Sequence, residues 1–137
     1  DSGQPLDILI TTNTSQGRII VEKNIGSSVH RVTVSFMVFD NPSLVKRAVK
    51  IADPKLLVLV ELEIWPALMA EMKRAGKKVM IVNGRMTEKS LKGYRKAALL
   101  WRQLKPDTIL AISESDRRRF VTLFDQPETF HVANMKF

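Results

Sequence analysis

The chain has 137 residues, 45% of them hydrophobic, and no cysteine. That is about one domain, large enough to bury roughly two thirds of the surface its unfolded form exposes, and it excludes disulfides, thiolate metal sites and a thiol nucleophile. A formal charge of +8, from 22 Lys and Arg against 14 Asp and Glu, requires either a solvated basic surface or an anionic partner: nucleic acid, lipid headgroup or phosphorylated small molecule.

Two histidines, His30 and His131, lack the spacing of a zinc motif. No apolar run approaches the roughly 20 residues of a bilayer span, and the opening DSGQPLD has neither a basic n-region nor an apolar h-region. The expectation is a chain that neither crosses a membrane nor carries a signal.

In chain order, strand and helix alternate. Residues 6–12 read as a strand, 13–17 as a polar turn and 18–24 as a short helix. A second strand covers 29–36, and Asn41, Pro42 and Ser43 open a helix whose apolar face is Leu44, Val45, Ala48, Val49 and Ala52. Residues 56–60, LLVLV, predict a central strand buried on both faces, ending at Glu61 with Glu63 two residues on. Pro66 suits the first turn of a helix carrying Leu68, Met69, Met72 and Ala75, which Gly76 ends.

A strand at 78–82 follows and delivers Asn83, Gly84 and Arg85 to a turn. Thr87 caps a long helix to about Leu104, with Leu91, Tyr94, Ala98 and Trp101 facing the core and Lys89, Lys92, Arg95, Lys96 and Arg102 facing elsewhere. Residues 108–112 form a strand, Ser113 and Asp116 a capping box for a helix to about Phe124, and 130–132 a last short strand. This alternation predicts an α/β class: a single Rossmann-like domain over 1–137, a parallel sheet with right-handed crossovers and helices on both faces.

In a parallel sheet every strand-to-helix turn lies on one edge, where ligands bind, so residues 12–17, 61–66, 83–87 and 113–114 are expected to converge. Thr14, Ser15 and Gly17 offer hydroxyls and backbone N–H groups to an anion, or form an ordinary cap, since TNTSQG has neither a dinucleotide nor a phosphate-loop pattern. Glu61 and Glu63, in an extended segment, point to one side of this turn; the alternative is that one caps the helix at Pro66. Arg85 offers a planar fork for a phosphate or carboxylate, or a salt bridge to Glu61 or Glu63. Trp65 reads as a core or helix-anchoring aromatic.

Four blocks, TTNTSQG at 11–17, ELEIWPAL at 61–68, NGRMTEKSLKGYRK at 83–96 and the terminal ANMKF, resemble in order and spacing the signatures of the Kdo transferases. That family moves 3-deoxy-manno-octulosonic acid (Kdo) from CMP-Kdo to the lipid A precursor at the cytoplasmic face of the bacterial inner membrane. The resemblance implies the N-terminal, acceptor-side part of a GT-B architecture, with a preceding strand bearing the catalytic base and a C-terminal donor domain both outside this sequence. The chain alone is accordingly expected to lack transfer activity.

By resemblance, Glu61 and Glu63 match the family's paired acids, which makes them candidate catalytic carboxylates, and Asn83, Arg85 and Ser90 match its next block, where Gly93 and Tyr94 also match, Tyr94 in a packing role. Asn134 and Lys136 match the interdomain block, Lys136 as a phosphate ligand. Leu62, Ala67, Gly84 and Ala133 stand where Thr, Asn, Ala and Gly are more usual. Lys89, Lys92, Arg95 and Lys96 then become a surface for anionic membrane and phosphorylated acceptor. The resemblance implies no metal or cofactor besides the donor, and no nucleic acid, although a basic nucleic-acid-binding domain and another GT-B nucleotide-sugar transferase are the competing readings.

Overall fold

In a computed structural model, residues 3–26, 28–125 and 129–132 are described. The chain divides into two compact units, Asp1–Phe39 and Asp40–Phe137. In the smaller, strand β1 (Asp7–Thr12), helix α1 (Ser15–Asn24) and strand β2 (Arg31–Phe36) form a βαβ unit whose strands pair in parallel, Asp7 opposite Arg31 through Thr12 opposite Phe36.

The larger unit runs α2 (Pro42–Ala52), β3 (Leu56–Val60), α3 (Pro66–Arg74), β4 (Lys78–Gly84), α4 (Glu88–Tyr94), α5 (Ala98–Gln103), β5 (Thr108–Ala111), α6 (Glu114–Phe124) and β6 (Thr129–His131). Its four strands are all parallel, in the order β3-β4-β5-β6. The α/β class with parallel strands and flanking helices is as expected. The strands nevertheless pair as two sheets rather than one. Periodicity along a chain reports which residues are extended, and not which strands become neighbours.

The order also sets which face is covered. Steps from β3 to β6 all proceed in one direction, so right-handed crossovers place their connections on a single face. Val79, Ile81, Ile109 and Ala111 on that face are buried. On the other face Leu56, Val58, Val60 and Phe130 are exposed. The expectation that β3 is central and buried on both faces is therefore corrected: it is an edge strand of its sheet, with only Leu59 fully buried, while β4 and β5 occupy the centre. A continuous apolar run signals strand but cannot assign its place in the order.

The predicted long helix after Thr87 is also broken. A 3-10 turn, Arg95–Ala97, separates α4 from α5. Gly93 weakens the helix just before it, and the break lets Tyr94 meet Trp101 edge-on with ring centroids 5.2 Å apart. Trp101 in turn meets Phe124, which stacks with Phe120, so Tyr94 packs as expected.

Two features at the ends of β4 carry testable consequences. At its C-terminal end, a β-carbon on Gly84 would stand 2.9 Å from Cε2 of the fully buried Phe120 and 3.3 Å from the Leu110 carbonyl oxygen. Gly84→Ala should thus destabilise the fold by about 1 kcal/mol or more, after allowing for the stiffer unfolded chain; urea unfolding measures this. At its N-terminal end, Asp107 accepts from the Val79 N–H at 2.9 Å and pairs with Lys78 at 2.9 Å and Lys73 at 3.5 Å. Burial opposes ionisation of Asp107 but is outweighed by the Lys78 and Val79 hydrogen bonds and the Lys73 charge, which hold its carboxyl below the ordinary 3.8. Because the folded value is the lower one, the stabilisation is present above that ordinary value and is lost as pH falls through the depressed one. Urea midpoints measured below pH 4 should fall more steeply for the native chain than for Asp107→Asn.

Candidate functional site

The C-terminal edge of the larger sheet gathers residues 61–66 after β3, 83–87 after β4 and 113–114 after β5. Residues 12–17 belong to the smaller unit, at the end of its own β1. There Thr14 caps α1, its hydroxyl accepting from the Gly17 N–H at 3.0 Å, with Ser15 in the first turn. A β-carbon on Gly17 would collide with the Thr12 hydroxyl. This is the ordinary cap that the polar turn allowed as one of its two readings.

Beyond Val60 and Val82, which are register partners, the next residue of each strand takes a left-handed backbone: Glu61 at φ 61° and Asn83 at φ 53°. The Glu61 N–H still donates to the Val82 carbonyl at 3.0 Å. The other two non-glycine residues with positive φ, Asp53 and Asp125, close helices, whereas Glu61 and Asn83 end strands. Each such conformation costs about 1–3 kcal/mol, a strain that concentrates at ligand sites. At Asn83 it accompanies a bulge, one extra residue of β4 between the Ile81–Ile109 and Gly84–Ala111 pairs.

This geometry separates the two acids. Glu61 and Glu63 lie in a tight turn and not in an extended segment, since the Ile64 N–H donates to the Leu62 carbonyl at 2.8 Å. Glu61 is half-buried, with Oε1 shielded from solvent, and Glu63 is exposed. The expectation of an extended segment over these two residues is therefore corrected: the left-handed Glu61 ends the period of two on which a shared side rested.

Neither acid caps α3. Trp65 occupies the N-cap position without a side-chain bond, and the first turn is served by Asp40, whose two carboxylate oxygens accept from the Ala67 N–H at 3.0 Å and the Leu68 N–H at 2.9 Å. That helix N-terminus is already occupied by an anion. Sequence reasoning missed Asp40 because the neighbouring Asn41 accounts for the cap of α2, where its Oδ1 accepts from Ser43; an acid left over beside a cap was the only local signal.

After β4, Asn83 and Gly84 are buried, Arg85 is exposed and Met86 is buried again. Arg85 makes no ion pair among the described residues, so the salt bridge to Glu61 or Glu63 is not formed. Thr87 caps α4 as expected, accepting from the Ser90 N–H at 3.1 Å, and its hydroxyl lies 2.9 Å from that of Ser90. Ser90 thus sits in a capping arrangement.

The residues around this turn on α6 were legible only as a cap. Asp116 N–H donates to Ser113 Oγ at 3.0 Å, while Asp116 Oδ1 accepts from the Met86 N–H at 2.8 Å. Arg119 reaches the Met86 carbonyl at 3.0 Å. Further along the same helix, Arg117 and Arg118 hold the Glu114 carboxyl down to about 2.

Lys89, Lys92, Arg95 and Lys96 are all exposed, as are Arg102 and Lys105. None of the six forms an ion pair among the described residues, and Leu99 and Leu100 stand exposed among them. No described helix is long and apolar enough to cross a membrane. Asn134 and Lys136 lie outside the described residues.

Comparison with known proteins draws these observations together. The family model described as 3-deoxy-D-manno-octulosonic-acid transferase (kdotransferase) matches residues 1–137. A bifunctional glycosyltransferase/methyltransferase of Fusobacterium nucleatum is 31% identical over 134 residues, covering 96% of this chain and 21% of that protein. The 3-deoxy-D-manno-octulosonic acid transferases of Haemophilus influenzae and Aquifex aeolicus are 27% and 31% identical, over 96% and 72% of this chain and 31% and 25% of their own lengths. The chain thus spans a fifth to a third of the curated relatives it matches. With a family model aligned from its first residue to its last, over a parallel α/β scaffold whose strained edge carries the paired acids and Arg85, this chain belongs to the 3-deoxy-D-manno-octulosonic-acid transferase family.

Proposed function

We propose that this chain is the acceptor-side part of a glycosyltransferase that moves Kdo from CMP-Kdo to the lipid A precursor in lipopolysaccharide biosynthesis, working against the cytoplasmic face of the inner membrane. The observation that carries the reading is Arg85: an exposed guanidinium without an ion pair among the described residues, two residues beyond the left-handed Asn83 and on the edge that also holds Glu61. An unpaired planar fork suits an anionic oxygen group such as an acceptor phosphate. Glu61, half-buried just past the end of the neighbouring strand β3, is the better placed of the two acids to orient an acceptor hydroxyl or to stabilise positive charge on the sugar, because a partly desolvated carboxylate acts more strongly than a hydrated one.

In this reading Asn83 and Ser90 of the larger unit serve the acceptor, Thr14, Ser15 and Gly17 of the smaller unit are its further candidates, and Asn134 and Lys136 serve the junction with a donor domain that binds CMP-Kdo. The six cations of residues 89–105, unpaired among the described residues and with Leu99 and Leu100 among them, form the membrane-facing surface. Each cation near an anionic leaflet contributes about 1 kcal/mol, and the exposed leucines add apolar contact that salt does not screen.

Titration of the chain with detergent-solubilised lipid A precursor, its dephosphorylated form and a random DNA duplex, at low and physiological salt, tests the proposal. Saturable binding is expected for the phosphorylated lipid alone, weakened about ten- to a hundredfold by Arg85→Ala. Equal, salt-sensitive binding of lipid and DNA would defeat it. In a catalytically active transferase carrying this sequence, Glu61→Gln should lower transfer about a hundredfold or more with the fold retained, and Glu63→Gln should lower it less; equal rates for wild type and Glu61→Gln would remove the acid from the site.

A further inference from the structure

We infer that Asp116 and Arg119, on α6, are positioning residues that clamp the backbone of Met86 and thereby hold Arg85 ready for its anionic ligand. This rests on the reading of Arg85 as an anion-binding residue. Residue 86 lies between the end of β4 and the cap of α4, outside either hydrogen-bond ladder. Both of its polar backbone groups are nevertheless taken up by one helix: its N–H by Asp116 Oδ1 at 2.8 Å and its carbonyl by Arg119 Nη1 at 3.0 Å.

The clamp is itself braced. Arg119 Nη1 lies 3.5 Å from Asp116 Oδ1, and its Nε donates to Glu88 Oε2 at 3.4 Å. Asp116 Oδ2 accepts from the Ser113 hydroxyl, whose oxygen accepts from the Asp116 N–H. The side chains of Asp116 and Arg119 are 13% and 27% exposed, so their hydrogen bonds are partly shielded from competing water. The Met86 side chain, 1% exposed, supplies a third anchor in the core.

With nitrogen, carbonyl and side chain of Met86 all fixed, the adjoining residue leaves the scaffold in one direction. That residue is Arg85, whose own side chain has no partner to hold it among the described residues. The arrangement fixes the base of the guanidinium while leaving its head open. A ligand then meets a loop whose ordering entropy has already been lost in folding, which is how pre-organisation raises affinity.

A double-mutant cycle in the 137-residue chain separates this from simple stabilisation. The readouts are affinity for detergent-solubilised lipid A precursor under conditions where every variant is folded, and hydrogen exchange at the Met86 amide. Asp116→Ala should release the Met86 amide and weaken binding about tenfold, from restored loop entropy. Asp116→Asn, which keeps an oxygen for that amide, should recover most of the affinity. In an Arg85→Ala background, Asp116→Ala should cause no further loss. If Asp116→Ala fails to fold, Arg119→Lys is used instead: its single ammonium cannot serve Met86 and Glu88 together, so a partial loss, again absent beside Arg85→Ala, is expected.

Weaker binding by Arg85→Ala together with unchanged binding by Asp116→Ala would overturn the clamp alone. Losses that add independently of Arg85 would also overturn it, leaving a stabilising contact. No effect of Arg85→Ala would instead defeat the anion-binding reading on which the inference rests.

Discussion

The arrangement of the larger unit depends on how closely β4 is pressed against α6. Gly84 lets its backbone approach the ring of Phe120 where any side chain would intrude. Phe120 in turn stacks on Phe124, which meets Trp101 and through it Tyr94. One missing methyl group therefore sets the separation of strand and helix, and an aromatic series carries that spacing across to α4 and α5. At this separation the polar ends of α6 reach the turn after β4; a wider gap would leave Met86 to water.

Electrostatics divide the surface into two kinds of region. Along α3, the start of β4 and α6, cations are matched by acids: Lys73 and Lys78 with Asp107, Lys77 with Asp53, Arg117 and Arg118 with Glu114. These exposed or part-exposed pairs fix local geometry while contributing little stability each. From residue 89 to 105 there is no acid at all. The net charge of +8 is thus unevenly distributed, and the excess lies where two leucines are also exposed. A purely solubilising surface has no need of that coincidence.

Much of this was legible in the sequence because it is written in short-range chemistry. Helix caps at Thr14, Asn41, Thr87 and Ser113 follow from side chains that reach backbone N–H groups two or three residues ahead. Strand identities follow from runs of Leu, Val and Ile. The order of strands, the open face of β3 and the left-handed turns at Glu61 and Asn83 do not, since each is decided by partners distant in sequence. Asp40 and the Asp116–Arg119 pair escaped for the same reason: their ligands are backbone groups 27 to 33 residues away, which no local pattern records.

The edge position of β3 has a consequence for handling the molecule. Its outer edge has no strand partner among the described residues, and Leu56, Val58 and Val60 are exposed on one face of the strand beside it. Such an edge is a template for strand addition by another chain, with charge only at its ends, Lys55 before Leu56 and Glu61 after Val60. Self-association will accordingly rise with concentration and with salt, as the repulsion among the +8 charges is screened while the apolar contact is not. Colloidal behaviour therefore depends on ionic strength and concentration together.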